Sequence, residues 1–175
     1  ALSAIKEADH PLFYLGGGVI ASNAAEEVIK LAELYKIPVT STLMGKGSIS
    51  SSHKLSLGML GMHGTAYANF AVSACDLLIA VGARFDDRVT GKLDEFACDA
   101  EVLHIDIDPA EISKNKIPTL ALVGDIKKIL QEILKEQIYD SYISETQTRD
   151  WCRRIDSWKK AYPLIVPSGS ESLSP

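Results

Sequence analysis

Leu77-Leu78-Ile79-Ala80-Val81-Gly82-Ala83-Arg84-Phe85-Asp86-Asp87-Arg88-Val89-Thr90-Gly91-Lys92 decides how this chain folds. Its first five residues are apolar without alternation, the pattern of a strand buried on both faces of a parallel sheet. Small residues follow, and small residues at a strand end let another backbone or a ligand come close. Two arginines and two aspartates then crowd into Arg84–Arg88. In an open α/β sheet the carboxyl edge of the strands is where ligands bind. The run is therefore either a ligand-contacting loop or a solvated turn with two local ion pairs.

Outward from that strand, the chain alternates strand and helix patterns. Pro11 to Gly18 reads as a short apolar strand ending in three glycines, and Asn23 with Glu26 resembles a capping box opening a helix. Val28, Leu31, Ala32 and Tyr35 recur at helical spacing, and Pro38-Val39-Thr40 begins a second strand. Thr42 to His53 is a Gly/Ser-rich loop, and Tyr67 to Ala74 a helix. Glu101 to Ile107 and Ala121 to Val123 are further strands, and Asp125 to Gln137 is a helix with Ile126, Ile129, Leu130 and Ile133 inward. Such alternation predicts an α/β fold on a parallel sheet with right-handed crossovers. From Tyr139 onward no strand is expected. Arg149 to Tyr162 reads as an amphipathic helix whose Trp151 and Trp158 either cap this core or face a neighbouring domain. Pro163 to Pro175 reads as a linker.

The bulk composition narrows the function. A length of 175 residues is one domain's worth, and 46% hydrophobic content suits a packed core. A net charge of −5 argues against a nucleic-acid surface. No apolar run approaches the roughly 20 residues that span a bilayer, and no signal-peptide pattern is present. Cys75, Cys98 and Cys152 are widely spaced without zinc spacing, which suits free thiols in a reducing compartment. Because Ala1 stands where an initiator Met would, at what reads as a helix end, the chain is expected to be a piece of a longer protein.

Each candidate site has two readings. Gly16-Gly17-Gly18-Val19-Ile20-Ala21 fits a loose dinucleotide pattern after a strand, but is equally a tight strand-to-helix turn. A nicotinamide site wants an acidic residue after the second strand, and Thr40-Ser41-Thr42 stands there, so a dehydrogenase or deacylase is disfavoured. Asp106, at the end of its strand, can accept ribose hydroxyls or cap a turn; Asp108 before Pro109 suits capping. Leu60-Gly61-Met62-His63-Gly64 puts a flexible apolar side chain and an imidazole in a loop, where a flat aromatic ring could lie. His63 is read as structural, not as an acid–base group. No catalytic triad or metal cluster is suggested, so no catalytic or metal-ligating residue is assigned.

Taken in order, the glycine triplet, Thr42-Leu43-Met44-Gly45, Leu60 to Gly64, Arg84 to Lys92, His104 to Ile107 and Gly124-Asp125 resemble the central domain of acetolactate synthase (acetohydroxyacid synthase) large subunits. The similarity spans about Pro11 to Lys127, and Trp151 to Leu164 is similar to the family's link to its last domain. Phe85-Asp86-Asp87-Arg88 is its most specific part, because other thiamine-diphosphate enzymes share the fold but generally lack that run.

The resemblance implies a six-stranded parallel sheet flanked by helices, Rossmann-like, in the middle of three domains. Residues 1–138 would be the FAD-binding central domain and 139–175 a helical tail and linker. In the family this domain holds extended FAD although the reaction has no net redox change. Thiamine diphosphate and Mg²⁺ lie between the first and third domains of paired subunits, and the activating glutamate belongs to the first. The parent would condense two pyruvates, or pyruvate with 2-oxobutyrate, in branched-chain amino-acid biosynthesis. Alternatives are another FAD- or ADP-binding thiamine enzyme such as glyoxylate carboligase, or a nucleotide-free scaffold domain. The fragment alone is expected to be inactive and to bind FAD weakly, since one family contact to FAD comes from the first domain. Expected partners are the flanking domains, further large subunits in a dimer or tetramer, and a regulatory small subunit, with neither nucleic acid nor membrane. A bacterial cytosol or plastid stroma is the expected compartment. Carried over residue by residue, the flavin contacts are Gly17, Thr42, Leu43, Leu60, Gly61, Met62, His63, Gly82, Ala83, Arg84, Phe85, Asp86, Asp106, Ile107, Asp125 and Ile126. Met62, His63, Asp87 and Arg88 also match positions lining the family's substrate channel, where herbicides bind.

Overall fold

Apolar runs too short for helices, Pro11–Leu15 (β1), Leu77–Val81 (β4) and Glu101–Asp106 (β5), form the middle of a sheet. The computed structural model describes residues 1–138 and 147–164, without the side chains of 87, 88, 137, 138 and 147. Val39–Ser41 (β2), Ser56–Met59 (β3) and Leu120–Val123 (β6) complete six parallel strands in the order β3-β2-β1-β4-β5-β6. The chain thus runs outward from β1 to one edge and returns through β4 to the other. The crevice between the ends of β1 and β4 is the topological switch point, where such sheets bind ligands.

Alternation along the strands feeds two cores. On one face Phe13, Leu15, Ile79, Val81, Leu103 and Ile105 pack against Gly17–Ala21 (α2), Ala25–Tyr35 (α3), Ile126–Ile138 (α6) and Ile5 of Leu2–Glu7 (α1). On the other, Leu12, Tyr14, Leu78, Ala80 and Val102 meet Ala66–Ala74 (α4), Phe85, Phe96 and Gln147–Ala161 (α7). A one-turn helix, Asp87–Thr90 (α5), follows β4.

Helix α7 belongs to the second core. Trp151 is fully buried and its Nε1 donates to the Pro11 carbonyl at 3.0 Å, so this tryptophan caps the domain's own core. Trp158 packs edge-on to Trp151 with ring centroids 5.8 Å apart, and Arg154 lies over its outer face. Further along α7, the Cys152 thiol and Lys159 Nζ donate to the carbonyls of Lys36 and Lys54. Pro11, Lys36 and Lys54 stand at or just before the starts of β1, β2 and β3, so α7 crosses the amino edge of the sheet.

Two sequence expectations are corrected. Asn23 does not cap a helix: it takes φ +51°, and α3 begins at Ala25 with no side-chain cap bond. The preceding glycines already start α2, Ser22 turns its hydroxyl back onto the Gly18 carbonyl, and Asn23 is used to reverse the chain. Glu26 pairs with Lys30 instead. The second correction is β3, which the strand pattern did not announce. It has four residues, with Gly58 at φ +73° and an irregular register against β2, and its apolar signal is little more than Leu57. Residues 139–146, and all of the expected linker Pro163–Pro175 except its first two residues, lie outside the described residues.

Candidate functional site

The carried-over residues come together on one edge because each follows the carboxyl end of a strand. Gly17 opens α2 after β1, Thr42 and Leu43 follow β2, and Leu60–His63 follow β3. Gly82–Asp86 follow β4, Asp106 ends β5 with Ile107 behind it, and Asp125-Ile126 follow β6.

The glycine turns are first of all a packing device. Gly16 N donates to the Val81 carbonyl and Gly18 N to the Gly82 carbonyl, both at 3.0 Å. A Cβ on Gly16 would collide with the Gly82 carbonyl oxygen, and one on Gly18 would lie 2.7 Å from Gly82 Cα. Gly82 itself takes φ +55°, where L side chains are strained. Gly17 differs: its Cβ position faces Met44 alone, with Cβ at 3.2 Å and the carbonyl oxygen at 3.6 Å. The triplet therefore locks the β1 and β4 ends together at the switch point, the plainer of its two sequence readings.

Around that lock the side chains divide. Those of Leu60, Ala83, Phe85 and Ile126 are buried, so from these positions a ligand would meet backbone. Leu43, Met62 and Ile107 are exposed, at 68%, 84% and 66%, as are His63, Arg84 and Asp125. Arg84 approaches Asp86 at 3.7 Å, a surface ion pair of the kind worth little in itself. The side chains of Asp87 and Arg88 lie outside the described residues. Asp125 Oδ1 accepts from Lys128 N in the first turn of α6, and Thr42 Oγ1 accepts from Gly45 N within its own loop.

Both aspartates at the end of β5 shape turns: Asp106 Oδ1 accepts from Asp108 N and Asp108 Oδ1 from Ala110 N, each at 2.9 Å. The other Asp106 oxygen lies 3.9 Å from His104 Nε2. Burial pushes His104 down from the ordinary histidine range, only partly opposed by Asp106, so it is neutral at neutral pH. Its Nε2 donates to the Ala83 carbonyl at 3.1 Å, while Nδ1 finds no partner among the described residues. Burial, helped by the Asp86 charge, raises the Tyr14 hydroxyl well above the usual phenol range. It stays protonated, a donor.

Sequence reasoning missed two contributors. Met44, 72% exposed beside Leu43, extends the apolar surface after β2. Asn69 grips the Gly61 loop from α4, accepting from Gly61 N at 3.0 Å and donating to Gly61 O at 3.1 Å. A lone amide in an otherwise apolar helix was its available signal. A cavity of about 210 Å³ lies to the side of the edge, lined by Leu60, Asn69, Val72, Val89, Thr90 and Phe96 among others. Among the described residues no group of three or more His, Cys, Asp and Glu side chains could hold a metal ion. No described helix is long and apolar enough to cross a membrane.

A sheet of this strand order, with glycine turns packed backbone to backbone at its switch point, defines a doubly wound α/β class of domain, and comparison with known proteins makes it specific. Residues 1–133 match the thiamine pyrophosphate enzyme, central domain, and the chain belongs to that family. It is 59% identical to the acetolactate synthase large subunit of Cyanidium caldarium over 170 residues, 97% of this chain and 29% of that relative. It is 55% identical to the acetolactate synthase large subunit of Porphyra purpurea over the whole chain and 30% of that relative. Against the acetolactate synthase of Mycobacterium leprae the identity is 48%, over all of this chain and 28% of the relative. The chain thus spans about three tenths of the length of the curated relatives it matches.

Proposed function

We propose that the carboxyl edge of this domain holds FAD and that the chain serves as the central domain of an acetolactate synthase large subunit. The observation that carries the reading is the grouping of exposed Leu43, Met44, Met62 and Ile107 around a strand end that carries Arg84. Large apolar side chains normally leave water, and a flat tricyclic ring with an extended polar tail suits such an edge. Arg84 offers a forked cation for a diphosphate, and the Asp106 and Asp125 carboxylates offer acceptors for sugar hydroxyls. The residues present fit the group.

In the intact enzyme, thiamine diphosphate with Mg²⁺ supplies the carboligation chemistry from the other domains. This chain's residues bind and orient the flavin and support the active site that joins two pyruvates, or pyruvate and 2-oxobutyrate. Flanking domains, further large subunits and a regulatory small subunit are the partners on this reading. The purified chain supplied with thiamine diphosphate, Mg²⁺ and pyruvate is expected to form no acetolactate, as followed by colorimetric assay. Measurable product would sink the assignment of catalysis to other domains.

Arg84→Ala tests the flavin site itself. Arg84 is exposed and its ion pair is long, so loss of the side chain should change stability by less than about 0.5 kcal/mol. In the intact subunit FAD affinity should fall about ten-fold or more, roughly 1.4 kcal/mol, the scale of one charge-assisted hydrogen bond. The isolated chain should bind FAD no tighter than about micromolar, because part of the contact set must still offset the cost of ordering a large ligand. Flavin fluorescence titration and thermal unfolding of the apo form measure both quantities. Unchanged affinity with lowered stability would return Arg84 to the role of a turn-locking ion pair.

A further inference from the structure

The segment after β4 is held by an arrangement that no sequence motif suggested. Residues 83–86 belong to neither helix nor strand. Three consecutive carbonyls within it nevertheless each accept a hydrogen bond from a side chain of a different element. His104 Nε2 of β5 donates to Ala83 O at 3.1 Å, and the Tyr14 hydroxyl of β1 to Arg84 O at 3.3 Å. Asn115 Nδ2, from the β5–β6 connection, donates to Phe85 O at 2.7 Å.

The sheet register explains how two of these donors reach so far. Tyr14 and His104 are the parallel partners of the same residue, Ala80, one from each side. All three lie on one face, and Ala80 is small, so two long polar-tipped side chains flank β4 and extend beyond its end. Between them sits the Phe85 ring, with centroids 5.9 Å from Tyr14 and 5.2 Å from His104. Ala83 and Phe85 are buried, at 1% and 3%, and Arg84 between them is turned out to 65% side-chain exposure. Three donors on the carbonyls and two buried neighbours fix the backbone at Arg84 so that its side chain leaves toward solvent.

We infer that Tyr14, His104 and Asn115 form a clamp that preorganises the Gly82–Asp86 segment, and Arg84 above all, for the diphosphate-bearing ligand of the carboxyl edge. They are positioning residues and touch no ligand themselves. Their contribution is to fix beforehand backbone freedom that binding would otherwise have to remove. The inference rests on the FAD reading for its ligand, but not for its geometry.

Two measurements on the same variants separate the two. Tyr14→Phe keeps the ring and removes only the hydroxyl, Asn115→Ala removes the loop donor, and His104→Gln keeps a donor that His104→Leu lacks. Hydrogen–deuterium exchange of the ligand-free protein should speed up in peptides covering 82–86, about five-fold or more, for Tyr14→Phe, Asn115→Ala and His104→Leu. Peptides from β1 and α3 should exchange as before, which a merely destabilised fold would not allow. FAD titration of the intact subunit should show affinity falling about five-fold in the same three variants, with His104→Gln restoring most of both effects. Unchanged exchange at 82–86 in Tyr14→Phe and Asn115→Ala would overturn the clamp. So would FAD affinity equal to that of the unaltered subunit despite faster exchange. If the unaltered subunit binds no FAD, it is the FAD reading that fails, and the clamp is then decided by the exchange data alone.

Discussion

Gly16→Ala is expected to lower stability by about 3–5 kcal/mol, a large share of the roughly 5–15 kcal/mol that holds a domain folded. The added methyl would enter the Gly82 carbonyl and Ala83 Cα, which are backbone atoms at the central switch point and cannot rotate aside. Relief requires prising the β1–α2 turn away from the end of β4. That sacrifices the Gly16–Val81 and Gly18–Gly82 backbone bonds, each worth about 0.5–1.5 kcal/mol. One position along, Gly17→Ala meets Met44 alone, its Cβ at 3.2 Å and its carbonyl oxygen at an ordinary 3.6 Å, and lies in helix α2, so a shift of a few tenths of an ångström in that loop should keep its effect within about 1 kcal/mol. Urea unfolding of the pair measures the contrast. Equal effects at both positions would mean that the turns are not packed backbone to backbone.

Trp151→Ala should cost nearly as much, about 4 kcal/mol, although it lies beyond residues 1–133, which match the central-domain family. The indole is completely buried against Ile155 and Trp158 and meets the His10 ring at a tilt, 4.8 Å between centroids. Its loss leaves a large void and strips the Pro11 carbonyl of a donor. Trp158, only partly buried, should cost roughly 1–2 kcal/mol when replaced by Ala. Denaturant midpoints of the two variants decide whether α7 is part of the core. A Trp151→Ala loss below about 1 kcal/mol would make α7 a detachable tail.

How far the sequence could be read follows from what each residue does. Strands β1, β4 and β5 were legible because both their faces are buried, so apolar runs such as Leu77–Val81 have no competing explanation. Strand β3 was not, since Ser56 and Gly58 serve an edge and a turn and say nothing of burial. Asn23 and Glu26 have a capping box's spacing, but helix α2 had already consumed the turn that the box would start. In the site, Arg84 could be seen because charge directly after a buried strand is conspicuous. Tyr14 and Asn115 could not. Tyr14 reads as one more aromatic in an apolar strand, and Asn115 as a turn residue among Ser113, Lys114 and Lys116. What matters for both is which carbonyl lies within reach, and that depends on register across the sheet.

Helix α7 also bears on how such a domain can be built into a larger polypeptide. By holding Pro11, Lys36 and Lys54 it binds the starts of three strands from behind, while the loops that would face a ligand project from the opposite rim. The chain therefore passes into β1 and through α7 along the rear of the sheet. Sequence and length can change at that rear side without disturbing the opposite rim. Helix anchorage sits at the starts of β1, β2 and β3 and the candidate ligand loops at the opposite strand ends, so each can vary without dragging the other with it.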